Sequence, residues 1–390
     1  MKIYFSKTSL VLVIIFALAS IGYAQKRSFK PVKKAAEQKQ SKVIADTRDT
    51  LEMVFVLDTT GSMGGLIDGA KQRIWGIVNE VMQKPSRPRV RVGLVAYRDL
   101  GDEYVTKILP ITEDLDLVYT NLMAYRASGG GDEPENVRKA LAEGVSKAGW
   151  AQAKRGLAQI VFLVGDAPPQ NYHQEPDVLM TTAEAVGKNM IVNTIQCGAV
   201  SETREIWQSI ALRGEGKYFA IAEDGGVQAI STPYDAKLAE LAAKIGKTYI
   251  PYGSVSVQRL NSLRQSTVEV TIAADAPAGA QADRAVNKAV NSLSYDGDLI
   301  QDVENEVVKI EAVKVENLPA ELKKLAPAER KKEIEKRIAE RKAIRAEILT
   351  LSKKRDEYIQ AERKKTNKQG GFDQAVAQAL REQLHKKGIK

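Results

Sequence analysis

The chain has 390 residues, 44% of them hydrophobic and 27% charged, which is enough apolar material for about two or three folded units and excludes global disorder. One cysteine excludes an intrachain disulfide and a cysteine-rich metal site, and the lack of G-x-S-x-G and G-x-x-x-x-G-K-[ST] motifs disfavours a serine hydrolase and a P-loop nucleotide site. The net charge of +9 comes from residues 321–390, where 21 Lys and Arg face 11 Asp and Glu, so it describes only the C-terminal tail.

The N-terminal segment has the pattern of a secretory signal peptide. A basic start precedes an apolar run from Leu10 to Ile21, and Gly22 and Ala24 are the small residues of a cleavage site. The run is shorter than the roughly 20 apolar residues that span a bilayer, which favours cleavage over an uncleaved anchor. We therefore expect residues 1–24 to be a signal peptide, residues 25–48 to be a flexible linker, and the mature protein to be exported to the periplasm or the extracellular space.

From residue 49 to residue 247 the sequence alternates between strand-like and helix-like segments. Apolar runs typical of buried parallel strands occur at Met53–Leu57, Val90–Tyr97, Gln159–Val164, Met190–Gln196 and Lys217–Ile221. Helix-like segments occur at Leu66–Val81, Leu115–Tyr125, Pro134–Val145, Ala183–Lys188, Thr203–Leu212 and Asp235–Ile245. This alternation predicts an α/β domain with a doubly wound, mostly parallel sheet.

Residues 248–318 are predicted to form a small accessory region. Ser266–Ala273 alternates apolar and polar residues and is predicted to be a strand, whereas Asp283–Leu293 has a helical pattern.

Residues 319–390 are predicted to form a charged α-helical tail. A long charged helix runs from Pro327 to about Lys365, and a last amphipathic helix covers Phe372–Leu384. A heptad begins only at Ile344, which fits a helical hairpin or a short coiled coil through which the protein self-associates or docks. The basic tail is also a candidate for binding an anionic envelope polymer, the alternative being a solvated helix of mixed charge. Nucleic acid is not an expected partner, because the protein is exported and the tail has no aromatic stacking platform.

Oxygen-bearing side chains follow two of the predicted strands. Asp58, Thr60 and Ser62 come after the first strand, and Asp166 follows the strand that ends near residue 164. A loop with three consecutive glycines contributes Asp132 before another helix. Because ligands of doubly wound sheets bind at the carboxyl ends of the strands, and Mg²⁺ and Ca²⁺ prefer oxygen, these residues predict a metal site. The alternative is that the acids serve only as helix N-caps.

These loops resemble the metal-ion-dependent adhesion site of the von Willebrand factor A (VWA) family over about residues 51–225. The D-x-T-x-S run of the first loop is similar to the family's D-x-S-x-S motif, and the other two loops follow in the family's order. The resemblance implies that Asp58, Thr60, Ser62 and Asp166 bind a divalent metal ion, Mg²⁺ first, with Ca²⁺ or Mn²⁺ as alternatives. Where the family usually has Thr, this sequence has Asp132 in a G-G-G-D-x-P-E setting that resembles the hemicentin-type branch.

Together with the predicted signal peptide, the resemblance implies an exported bacterial protein-binding module, which is not an enzyme, that acts in adhesion or scaffolding in the cell envelope through a protein ligand of unknown identity. One alternative is a structural envelope protein whose metal only stabilises the fold. Another is a metal-assisted hydrolase in which Asp132 or Asp166 is the base, which is disfavoured because Mg²⁺ lowers the pKa of bound water far less than zinc does.

Overall fold

A six-stranded sheet lies at the centre of the computed structural model, which describes residues 48–84, 86–131, 134–227, 230–365 and 371–389. The strands are β1 (Thr50–Asp58), β2 (Arg89–Tyr97), β3 (Thr106–Thr112), β4 (Leu157–Gly165), β5 (Ile191–Cys197) and β6 (Glu215–Ile221). Their spatial order is β3-β2-β1-β4-β5-β6, and all neighbours are parallel except β2 and β3. The predicted doubly wound, mostly parallel α/β fold is therefore confirmed.

Helices surround this sheet and continue beyond it. They are α1 (Gly64–Met82), α2 (Leu115–Ala124), α3 (Val137–Ser146), α4 (Val178–Gly187), α5 (Ser201–Arg213), α6 (Asp235–Gly246), α7 (Val255–Asp275), α8 (Ala278–Val290), α9 (Leu299–Glu304), α10 (Ala320–Lys323), α11 (Pro327–Lys365) and α12 (Phe372–Lys386). None of the helices in the described ranges combines the length and the apolar character needed to cross a membrane. The predicted signal peptide, and the predicted linker up to residue 47, lie outside the described residues.

Strand β3 was not predicted from the sequence. Only eight residues separate it from β2, too few for a parallel crossover, so the two strands pair antiparallel. Pro110 interrupts its apolar pattern, and the strand occupies the edge of the sheet, where proline is tolerated.

The two faces of β1 contribute to two separate cores. Phe55 and the other odd-numbered residues pack with α1, α2 and α12, whereas Val54 and Val56 pack with α3, α4 and α5. The Phe55 ring stacks on Phe162 of β4 at a centroid distance of 5.2 Å and contacts Phe372 of α12 at 5.9 Å. The last helix of the described chain thus completes one face of the sheet.

The accessory region is helical, and the strand predicted at Ser266–Ala273 is wrong. This segment lies inside α7, where Ile272 is the one buried residue, Val268 is half-buried and Val270 is 69% exposed. Its alternating pattern does not correspond to a buried sheet face, because only Ile272 among its apolar residues is fully covered. The helix predicted at Asp283–Leu293 is confirmed as α8, which begins and ends earlier.

Both helices predicted for the tail are confirmed, and both pack against other parts of the chain. Ile348 of α11 is fully buried in a cluster with residues of α6 and α8, and Ile344 lies at its margin. The heptad that begins at Ile344 therefore contacts helices of the same chain.

A largely buried network of alternating arginines and aspartates connects the C-terminal helices to the sheet domain. Arg355 of α11 donates to Asp235 of α6 at 2.7 Å and to Asp283 of α8 at 2.6 Å. Arg73 of α1 donates to Asp283 at 3.2 Å and to Asp373 of α12 at 3.1 Å. We call these five residues the arginine–aspartate network; it joins α1, α6, α8, α11 and α12.

A second buried ion pair joins α2 to α8. Asp116 accepts two hydrogen bonds from Arg284, at 2.9 and 2.8 Å, and lies 2.8 Å from the Lys288 ammonium group. Burial opposes the charge of Asp116, but Arg284 and Lys288 outweigh it and hold the pKa of this carboxyl well below its usual range.

This lowered pKa predicts acid sensitivity. An Asp with a folded-state pKa below its unfolded value stabilises the fold above the unfolded pKa of about 4, and this stabilisation is lost as the pH falls toward the folded value. We therefore expect the free energy of unfolding to decrease between about pH 5 and about pH 2, as measured by urea denaturation. Asp116→Asn should be less stable at pH 7 by about 3 kcal/mol or more and should lose part of the pH dependence. An unchanged pH profile in this variant would contradict the assignment.

Candidate metal centre

The loop that follows β1 presents three oxygen-bearing side chains. Asp58 is fully buried, Thr60 is 2% exposed and Ser62 is exposed. The backbone N–H and the hydroxyl of Thr60 both donate to Asp58 Oδ1, at 2.9 and 2.6 Å, and the Thr60 and Ser62 hydroxyl oxygens lie 3.4 Å apart. Three of the predicted metal ligands are thus brought together at the carboxyl end of the central strand.

Asp166 lies at the same edge, directly after β4. The two strands are parallel neighbours, with Leu57 paired to Val164. A Cβ at Gly165 would lie 3.1 Å from Asp58 Oδ2, so the glycine allows the β4 loop to approach the Asp58 carboxylate closely. A fourth predicted ligand is therefore next to the first loop.

The glycine-rich loop before α3 also packs against the β1 loop. Gly61 N–H donates to the Gly129 carbonyl at 3.2 Å, and Ser128 N–H donates to the Thr59 carbonyl at 3.2 Å. Gly129 has a φ of 81°, a conformation that favours glycine. Asp132, the fifth predicted ligand, lies outside the described residues.

Three acids at this edge are buried with an oxygen that accepts no hydrogen bond from the described residues. These oxygens are Asp58 Oδ2, Asp99 Oδ1 and Glu135 Oε2, and Glu135 is 3% exposed. Burial, followed by the charge of Asp166, raises the pKa of Asp58 to about 7. Burial, followed by the charge of Asp58, raises the pKa of Glu135 to about 8. Because a buried ionised carboxylate needs a compensating positive charge, the residues present fit a divalent cation with oxygen ligands.

The hydroxyl groups are an essential part of this fit. Within the described ranges, no three His, Cys, Asp or Glu side chains are arranged to hold a metal ion by themselves. A cation at this edge would therefore be held by the carboxylates of Asp58 and Asp166 together with the hydroxyls of Thr60 and Ser62.

Three further acids at the edge were not singled out from the sequence. These are Glu135, Asp99 and Asp102. Asp99 is 4% exposed and accepts a hydrogen bond from the Tyr172 hydroxyl at 2.7 Å, and Asp102 accepts from Gly130 N–H at 3.2 Å. Asp99 lies just beyond the end of β2, so the rule that identified the other acids, a carboxylate at the carboxyl end of a parallel strand, also applies to it.

A family comparison covers this part of the chain. Residues 52–233 match the model of the von Willebrand factor A domain. We call this segment the VWA region; it contains Asp58, Thr60, Ser62 and Asp166, and helices α6 to α12 lie beyond it.

Part of the chain also matches relatives of known sequence. Von Willebrand factor A domain-containing protein 7 of Homo sapiens is 29% identical over 207 residues, and that of Mus musculus is 30% identical over 205 residues. Each match covers 53% of this chain and 21% of the relative. The chain thus spans about a fifth of the length of these relatives.

Solved structures with a similar fold were also found. Conserved hypothetical protein BatB from Bacteroides thetaiotaomicron is 16% identical with a TM-score of 0.33, and the match covers 44% of this chain and 90% of that one. An aerotolerance-related membrane protein from Bacteroides fragilis is 15% identical with a TM-score of 0.32, covering 45% and 92%.

Proposed function

We propose that the VWA region binds a divalent cation at the carboxyl edge of the sheet and uses it to bind a protein partner. The observation that carries the proposal is the buried, unpaired Oδ2 of Asp58 beside the hydroxyls of Thr60 and Ser62. Mg²⁺ is the expected ion, with Ca²⁺ or Mn²⁺ as alternatives, and Asp132 is proposed as a further ligand. When bound, the cation would offer a position for an oxygen atom of the partner.

Helix capping alone does not account for these acids. The N-cap of α1 is Met63, which makes no side-chain cap hydrogen bond, and the N-cap of α3 is Asn136, which accepts from Lys139 N–H at 3.1 Å. Asp58 is not the N-cap residue of α1, which favours a ligand over a purely structural role for this acid.

The wider context of the protein is part of the same proposal. We infer that the predicted signal peptide exports the chain and that it acts as a non-enzymatic adhesion or scaffold protein of the cell envelope, with a site of the hemicentin-type variant. Since α11 and α12 pack within the chain, we assign partner binding to the metal edge rather than to a free helical tail.

Replacement of Asp58 tests the cation site. We expect the full chain to bind Mg²⁺, Ca²⁺ or Mn²⁺ in isothermal titration calorimetry, and Asp58→Asn to lower the affinity by at least about 100-fold, because it removes a charged ligand. Glu143→Gln is the matched control, since Glu143 is a buried acid of α3 that pairs with Lys147 and contacts Thr106. Absence of binding heat in the wild type with all three ions would overturn the proposal.

Partner binding is tested on the same variants. Envelope proteins retained by the immobilised wild type in Mg²⁺ should be lost both in chelator and with Asp58→Asn, and should be retained by Glu143→Gln. Equal retention in chelator would show that the cation only stabilises the fold.

A further inference from the structure

Glu135 is fixed to the loop that carries Asp166. Its backbone N–H donates to the Pro168 carbonyl at 3.1 Å, and its carbonyl accepts from Gln170 N–H at 2.7 Å. These bonds form a short parallel bridge between the segment before α3 and the segment after β4. The position of the Glu135 side chain is therefore coupled to the Asp166 loop.

The Glu135 carboxylate points toward the β1 loop. A Cβ on Gly130 would lie 2.8 Å from Glu135 Oε1 and 2.9 Å from Thr60 Cβ, so this carboxylate and Thr60 share the space over the glycine. Gly130 itself has a φ of 70°, which lets the loop fold over both side chains without a Cβ.

The other oxygen of Glu135 is not satisfied by the protein. Glu135 is 3% exposed, and Oε2 accepts no hydrogen bond from the described residues. The surrounding charges make this burial more costly. The negative charges of Asp58, Asp99, Asp102 and Asp166 all disfavour the ionised form of Glu135. A buried acid among other acids needs a donor or a positive charge that the described chain does not supply.

A carboxylate triad does not explain Glu135. No three acidic, His or Cys side chains of the described ranges are close enough to share one ion, so Glu135 does not complete a carboxylate triad with Asp58 and Asp166. A water molecule bound to the cation would supply the missing hydrogen-bond donor. The Glu135 carboxylate would then lie farther from the cation than a direct ligand does.

We propose that Glu135 is a positioning residue of the cation site, whose buried carboxylate accepts a hydrogen bond from water bound to the cation. This inference rests on the proposed cation site and adds to it. Glu135 supplies an acidic group from within the chain, so the site holds its cation in the absence of any partner. Such outer groups orient the ligands and typically change metal affinity by about 10- to 100-fold.

Glu135→Gln separates this role from a structural one. We expect the variant, titrated as the full chain with MgCl₂ and MnCl₂ in the absence of partners, to bind about 10- to 100-fold more weakly than the wild type. In chelator its urea unfolding curve should be unchanged or shifted to higher stability, because the variant removes a buried acid that lacks a donor. Glu135→Asp, which keeps the charge on a shorter side chain, should recover part of the affinity.

The outcomes are distinguishable. Wild-type affinity for the cation in Glu135→Gln would overturn the inference while leaving the cation site intact. If that unchanged affinity came with reduced stability in chelator, Glu135 would be a purely structural residue. Glu143→Gln, which removes the charge of a buried acid away from this edge, should bind as the wild type does. Failure of the proposed cation site itself would appear as an absence of binding heat in the wild type.

Discussion

Phe372→Ala is expected to destabilise the fold by about 3–5 kcal/mol, the usual cost of removing a large buried aromatic side chain. Phe372 is 1% exposed and contacts Phe55 of the central strand at a ring-centroid distance of 5.9 Å. The cavity would lie between α12 and β1, in the core that also includes α1 and α2. Urea denaturation followed by circular dichroism measures the effect.

The control for this prediction is Gln374→Ala, an exposed position of the same helix. It should change the free energy of unfolding by less than about 0.5 kcal/mol. Identical unfolding curves for Phe372→Ala and Gln374→Ala would mean that α12 does not pack on the sheet in solution. In that case truncation before α12 should be tolerated as well. If α12 packs on the sheet, we expect the truncation to expose the sheet face and prevent stable folding.

Arg355→Met is expected to cost about 3–5 kcal/mol, because it leaves two buried carboxylates without their shared cation. The Arg355 side chain is 4% exposed and donates to both Asp235 and Asp283. Methionine preserves most of the length of the side chain but neither the charge nor the hydrogen bonds. Chemical denaturation at pH 7 measures the loss.

Two comparisons sharpen the test of the arginine–aspartate network. Arg381→Met removes an exposed ion pair with Glu80 and should cost less than about 1 kcal/mol. Combining Arg355→Met with Asp283→Asn should cost less than the sum of the two single changes, because the second removes one of the carboxylates that Arg355 neutralises. Strict additivity would indicate that Arg355 and Asp283 do not interact.

The Phe372 contact and the arginine–aspartate network change the expected domain organisation. The α12 core contact and the network both tie the end of the chain to helix α1 and strand β1. We therefore propose that the VWA region and the C-terminal helices fold together, and that the boundaries predicted at residues 247 and 318 do not separate independent units.

The sheet, and the positions of four of the proposed ligands at its edge, were predictable from the sequence because their signals are local. A buried parallel strand such as Met53–Leu57 is a continuous apolar run, and a carboxylate directly after it, such as Asp58, lies at the ligand-binding edge of any doubly wound sheet. The helices of the tail were predictable for the same reason, since helical periodicity and i,i+4 pairs involve only neighbouring residues.

Other features depend on contacts between residues far apart in the sequence, and only the tertiary structure decided them. The contact of Phe372 with Phe55 joins opposite ends of the described chain, and Glu135 becomes a buried, unpaired acid only when its segment binds the loop after β4. The alternation at Ser266–Ala273 shows the converse, because a local pattern predicts a strand only where a neighbouring strand exists to pair with it, and α7 has none.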